Sequence, residues 1–205
     1  MSDLAMHNAP ARLPEAALGK ALGRRSVVLV GMMGAGKSSI GRRLANRLSI
    51  PFVDADAEIE KAAGMAISDI FTEHGESYFR AGEARVIARL LDGGPQVLAT
   101  GGGAFMNADT RAAIHTKGVS VWLRATAEVL LRRIKRRSDR PLLKTGDPAE
   151  TLKRLIEERY PVYAEADIIV ESRDVAHDAI VDEIVAGLCA QPRLTGPQAA
   201  EGPAP

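Results

Sequence analysis

A three-layer α/β sandwich built on a parallel sheet is the fold class predicted by three features of this sequence. Short apolar runs alternate with longer stretches of helical period from residue 26 to residue 190. The first run, Ser26-Val-Val-Leu-Val30, is β-branched and almost wholly apolar, as a strand buried on both faces of a parallel sheet requires. Directly behind it stands Gly31-Met-Met-Gly-Ala-Gly36-Lys37-Ser38, a glycine-rich turn that opens a helix.

The elements follow in chain order. Residues 1–25 carry Pro10 and Pro14 with no sustained period and read as a flexible N-terminal extension. After the strand at 26–30, a helix at 38–48 sets Ile40, Leu44 and Leu48 on one face. Ile50-Pro-Phe-Val53 is a second strand, ending at Asp54. Helical patterns occupy about 55–63, 68–74 and 76–91, the last carrying Phe79, Val86, Ile87, Leu90 and Leu91. Gln96-Val-Leu-Ala99 is a third strand, stopped by Gly101-Gly102-Gly103. Val119-Ser-Val-Trp-Leu123 is the fourth and Asp167-Ile-Ile-Val170 the fifth. Helices at about 109–115, 127–135, 149–162 and 176–188 fill the intervals. The tail, 191–205, has four prolines, two glycines and one large apolar residue, Leu194. So little apolar surface cannot offset ordering entropy, and the tail reads as disordered. The core at 26–190 shows no solenoid repeat and reads as one domain.

Composition narrows the function classes. Of 205 residues 46% are hydrophobic and 26% charged, the balance of a globular protein. Lys and Arg number 27 against 26 Asp and Glu, so the net charge of +1 gives no general field for nucleic acid. The single cysteine, Cys189, forms neither an intramolecular disulfide nor a multi-cysteine zinc site, which fits a reducing compartment. No apolar run approaches the roughly 18 residues of a membrane span. The first 25 residues lack the apolar centre of a secretory signal, so the expected location is cytoplasmic. His7, His74, His115 and His177 form no ligand spacing and read as surface residues.

Gly31 to Ser38 fits the phosphate-loop pattern G-x-x-x-x-G-K-[ST]. Glycines let successive N–H groups turn toward phosphate oxygens, and the following helix adds its positive N-terminus. Lys37 is expected to reach the β- and γ-phosphates, and the Ser38 hydroxyl to ligate Mg²⁺. Gly34, Ala35, Gly36, Lys37, Ser38 and Ser39 are the expected ATP contacts of the loop. Such a loop serves kinases, switches and motors alike. A core this small argues against a motor, and no N-K-x-D segment reads guanine. A small-molecule kinase leads, with a nucleotide-dependent switch or binding module as the alternative class.

Asp54-Ala55-Asp56 closes the second strand. Residues two apart in an extended segment share a face, so both carboxylates could point past the carboxyl edge, where open α/β sheets bind ligands. One acid would then order Mg²⁺ through water while the other orients an acceptor hydroxyl. Alternatively Asp56 is the acidic cap of the helix that follows.

The order G-M-M-G-A-G-K-S, F-V-D-A-D, F-R, T-G-G-G-A, R-P-L-L and E-R-Y-P-V-Y, from about 25 to 188, resembles the bacterial shikimate kinases. The resemblance implies the nucleoside-monophosphate-kinase-like P-loop kinase fold, with five parallel strands in the order 2-3-1-4-5. It implies transfer of the γ-phosphoryl group of ATP to the 3-hydroxyl of shikimate, on the route to chorismate and aromatic amino acids. By position, Asp56 resembles the residue that bonds and deprotonates the acceptor hydroxyl, and Asp54 the acid that orders the Mg²⁺ water shell. Arg80 and Arg159 resemble the two clamps on the shikimate carboxylate, a use that suits planar guanidinium forks. Without the motif, both arginines would read as helix-surface salt bridges. Gly102 is implied as the residue offering its backbone to the substrate ring, where a side chain would collide.

Between 132 and 140 stand six basic residues and one acid, a local charge of +5 that leaves −4 for the rest of the chain. A cluster this short with only Trp122 nearby is weak support for a nucleic-acid patch. In the resembling family this segment, about 136–148 here, is the lid over ATP. Arg140 then matches the arginine on the transferred phosphate, and Arg133 the one that stacks on adenine. Two departures stand out. The third strand ends in Thr100 where a Walker B motif has its acid, which leaves Ser38, phosphates and water as the direct Mg²⁺ ligands. Arg173 lies near an adenine-side position of some members, with no clear register. The expected partners are therefore ATP and shikimate, with no nucleic acid and no membrane, and the expected state is a monomer. A gluconate or nucleoside monophosphate kinase of the same fold is the runner-up.

Overall fold

The computed structural model describes residues 12–135 and 147–195. Five parallel strands form one sheet in the order β2-β3-β1-β4-β5. They are β1 (Ser26–Val30), β2 (Phe52–Asp54), β3 (Val97–Ala99), β4 (Gly118–Arg124) and β5 (Ile168–Glu171). β1, in the middle, is buried along its whole length. That is why its sequence is a run and not an alternation.

The helices are α1 (Leu18–Leu22), α2 (Lys37–Leu48), α3 (Ala55–Ala63), α4 (Ile67–Asp92), α5 (Ala108–Lys117), α6 (Ala127–Lys135), α7 (Pro148–Tyr163), α8 (His177–Cys189) and α9 (Pro192–Thr195). Local chemistry sets several boundaries. Asn107 caps α5 by accepting the Thr110 N–H at 3.0 Å, and Asp147 caps α7 by accepting that of Ala149 at 2.9 Å. The two helices expected at 68–74 and 76–91 are two limbs of α4, divided at Gly75 by φ 82° and ψ 174°. That conformation is open almost only to glycine.

Both terminal expectations are corrected within the described residues. A 3-10 turn at Glu15–Ala17 and α1 precede β1, with Leu18 and Leu22 fully buried in the main core. The Leu13 N–H donates to the Cys189 carbonyl at 2.9 Å, which ties this segment to the end of α8. Past Ala190 the chain continues as α9, and Leu194 is buried against the same core. One or two leucines per segment suffice because each enters a pocket already lined by larger elements. No helix among the described residues is long and apolar enough to cross a membrane.

The register places the site. Asp54 pairs with Ala99, and Leu29 also pairs with Ala99, so β1, β2 and β3 end together at one edge. The phosphate loop, Asp54 and Thr100 all leave the sheet there.

Candidate active site

A cleft of about 390 Å³ opens at that edge. Its walls carry Gly34, Gly36, Lys37, Ser38 and Ser39 from the phosphate loop, Asp54 and Asp56 from the β2–α3 junction, and Thr100, Gly101 and Gly102 beyond β3. The loop turns through positive φ at Gly31 (134°), Gly34 (80°) and Gly36 (94°). At Gly31 a Cβ would stand 2.8 Å from the Leu123 carbonyl oxygen of β4, so the loop could not lie this close to the sheet with another residue. Gly36 is the N-cap of α2 and aims the helix N-terminus at the cleft.

Lys37 Nζ donates to the carbonyls of Gly31 and Met32, at 2.8 and 3.0 Å, and so lies across the mouth of the loop. Ser38 Oγ donates to Asp54 Oδ2 at 2.8 Å. The other Asp54 oxygen accepts the Asp56 N–H at 3.2 Å, so Asp54 is the N-cap of α3. Of the two alternatives for Asp56, the cap is thereby excluded. One acid both caps the helix and touches the loop serine, while the Asp56 carboxylate remains exposed in the cleft. Thr100 is buried, and its hydroxyl donates to the Leu29 carbonyl at 3.1 Å, so no acid occupies the Walker B place.

The two arginines converge on the triple glycine from different helices. Arg80 lies against Gly103, where a Cβ would come within 2.5 Å of its guanidinium, and Arg159 lies against Gly102. Arg80 is held by two glutamates of α4: Nη1 donates to Glu83 Oε2 at 2.7 Å, and Nε and Nη2 to Glu76 Oε1 at 3.2 and 3.1 Å. Burial opposes its charge, yet bonds to Glu83 and Glu76 outweigh burial and raise its pKa. Arg159 has no ion pair among the described residues; Nη1 donates to the Gly102 carbonyl at 3.1 Å, and its buried Nε has no acceptor. The surface-salt-bridge alternative fails for Arg159. For Arg80 it survives only in part, because Glu83 is 2% exposed.

Gly102 lies open toward the cleft. A Cβ there would meet protein atoms no closer than 3.5 Å, ordinary contact. The tight positions are Gly103 beside Arg80 and Gly101, whose Cβ would stand 2.7 Å from Glu83 Oε1 and 3.0 Å from Asp56 Oδ1. The Gly102 carbonyl is an anchor, accepting from Arg159 and from the Tyr163 hydroxyl.

Glu83 and Tyr163 are the residues that sequence reasoning missed. Burial pushes the Glu83 carboxyl above its ordinary range, Arg80 opposes the shift, and the negative charge of Asp56 adds to it. Burial likewise pushes the Tyr163 phenol up to about 12, so it donates as a neutral hydroxyl. Helical spacing was the available signal. Glu83 follows Arg80 by three residues and Tyr163 follows Arg159 by four, so each pair shares a helix face.

On the nucleotide side, Arg133 and Ile134 of α6 border the loop, and His177, expected on the surface, lines the same cleft. Arg173 pairs with Glu183 of α8. Of the lid expected at about 136–148, residues 136–146, Arg140 among them, lie outside the described residues, while Asp147 caps α7 and Pro148 begins it.

Comparison with known proteins agrees with this geometry. The family model described as shikimate kinase matches residues 33–189. A shikimate kinase of Bradyrhizobium diazoefficiens is 63% identical over 191 residues, covering 93% of this chain and 91% of the relative. One from Rhodopseudomonas palustris is 63% identical over 197 residues, 94% of this chain and 97% of the relative. Among solved structures, shikimate kinase from Acinetobacter baumannii in complex with shikimate superposes with a TM-score of 0.77 at 37% identity, covering 84% of this chain and 95% of that one. Sheet order, loop, paired arginines and these likenesses agree, and the chain belongs to the shikimate kinase family.

Proposed function

We propose that this enzyme transfers the γ-phosphoryl group of ATP to the 3-hydroxyl of shikimate, releasing shikimate 3-phosphate and ADP. The observation that carries the substrate is Arg159. Its guanidinium faces Gly102 beside Asp56, with no ion pair among the described residues and a buried Nε lacking an acceptor. A half-exposed guanidinium with no carboxylate of the described residues in contact is open to an anionic group of the substrate. The shikimate carboxylate is that group, with Arg80 as the second fork. A shared carboxylate also turns the acceptor ring toward the phosphate loop, where Asp56 takes the hydroxyl proton. Lys37 meets the β- and γ-phosphates and Arg133 the adenine; the resemblance gives Arg140 the transferred phosphoryl.

The oxygen atoms on this edge suit Mg²⁺. Ser38 Oγ and Asp54 Oδ2 are hard donors 2.8 Å apart, Ser38 serving as direct ligand and Asp54 through water. Among the described residues no group of three or more His, Cys, Asp or Glu could hold a metal unaided, consistent with a cation carried on the nucleotide. Held by Ser38 and, through water, Asp54, such an ion would supply charge neutralisation to the nucleotide phosphates. A monomeric, cytoplasmic enzyme completes the proposal.

Asp56→Asn tests the division of roles. With the base removed, kcat should fall by about two orders of magnitude or more. The Kd of MgADP, read by calorimetry, should hardly change, since the loop holds the nucleotide. Near-normal turnover would remove Asp56 from the chemistry.

A further inference from the structure

Two consecutive arginines close α6, and one carboxylate meets both. Asp174, in the β5–α8 connection, pairs with Arg132 through Oδ2 and with Arg133 through Oδ1, the latter at 3.2 Å. Arg133 is held further. Nη1 donates to Ser172 Oγ at 2.9 Å and, at a long 3.4 Å, to the Gly34 carbonyl of the phosphate loop. Nη2 also donates to the Arg173 carbonyl at 2.9 Å. Ser172 Oγ in turn donates to the Ala35 carbonyl at 2.7 Å, so the arginine and the phosphate loop share one buried hydroxyl.

A guanidinium carries five N–H donors in one plane. Here both terminal nitrogens spend theirs on protein acceptors. Arg133 therefore cannot offer the paired fork that grips phosphate oxygens, and what it presents to the cleft is its flat face. A face can stack on a heterocyclic base, and it does so best when its tilt is fixed beforehand. Of the acceptors that fix it, two are backbone carbonyls and Ser172 is tied to the phosphate loop. Asp174 is the charged side chain among them, and it is half-exposed.

We propose that Asp174 is a positioning residue for the nucleotide base: by pinning Arg132 and Arg133 it sets the plane on which the adenine stacks. This rests on the reading of Arg133 as the adenine contact. Electrostatics alone gives the opposite sign to positioning. Removing a carboxylate near a phosphate site should tighten any polyanion, whereas losing the fixed plane should weaken only a ligand with a base.

The test measures the Kd of MgADP and of magnesium tripolyphosphate for the wild type, Asp174→Ala, Arg133→Ala and the double variant. We expect Asp174→Ala to weaken MgADP about threefold to fivefold, the reach of a half-exposed ion pair. Tripolyphosphate should be held as well as before or better, and Asp174→Ala should add nothing in the Arg133→Ala background. If Arg133→Ala weakens MgADP but Asp174→Ala does not, or weakens both ligands alike, the positioning role is wrong and the Arg133 reading stands. An Arg133→Ala variant that binds MgADP normally overturns both.

Discussion

Arg80 and Arg159 reach the same glycine turn but are prepared differently. Glu76 and Glu83 neutralise Arg80 in advance, whereas Arg159 leans on the Gly102 carbonyl, which also accepts from Tyr163. Truncating geometry at Arg159 should therefore be the more costly change. Arg159→Lys keeps the charge and loses the fork, and shikimate should bind about ten- to a hundred-fold more weakly, about 1.5–3 kcal/mol. An analogue with the carboxylate reduced to an alcohol should bind the wild type poorly and be almost indifferent to the change. Equal losses for both ligands would mean that Arg159 never meets the carboxylate. Glu83 gives a second test, through pH. Its folded pKa is raised, mainly by burial, so the native state holds this proton more tightly than the unfolded chain does. That contribution is complete below the unfolded pKa, ~4.3, and is lost as pH rises through the folded value. Urea titrations across that window should show the wild type losing stability relative to Glu83→Gln as pH rises. The reverse slope would mean that Arg80 dominates the carboxylate. From sequence, Asp56, Arg80 and Arg159 were legible because motif spacing marks them. Glu83 was hidden because a glutamate on a helix looks solvated until the turn against Gly101 buries it.

Among the elements, legibility tracked length. The five strands and the long helices fell within a residue or two of their expected positions, because period and capping residues act over many positions at once. α1 and α9, five and four residues long, give a period no room to declare itself. Their order comes from single leucines entering a core that the larger elements build. Leu18→Ala should thus cost about 2–5 kcal/mol of unfolding free energy, the range for a fully buried leucine. Denaturant unfolding of the purified variant reads this directly. A cost near zero would return the segment to the flexible extension that its composition suggests. The strands also explain the glycine turn. β3 ends at Ala99, in register with Asp54 of β2, and Gly101 to Gly103 then pass between Glu83, Asp56 and Arg80 with no space for side chains at the first and last positions.

Over the whole molecule, the sheet edge joins two half-sites of opposite character. The phosphate loop contributes backbone donors and a lysine. Across the cleft stand the carboxylates of Asp54 and Asp56 and the turn after β3, and against that turn lie the paired arginines of α4 and α7. The first half is one continuous stretch, residues 31–38, whereas the second is gathered from separated segments. A switch would need only the first half, and a kinase of another acceptor would have a different second half. Specificity follows, since an acceptor without a carboxylate at the right distance from its hydroxyl leaves the Arg159 guanidinium without an anionic partner. The measurement that tests this most directly is the initial rate of ADP release by the full chain with MgATP, recorded in parallel with shikimate, gluconate and AMP. The account predicts sustained turnover with shikimate and kcat/KM lower by about a hundredfold or more for the other two. Equal rates with gluconate or AMP, or ADP release that ignores the acceptor altogether, would contradict it.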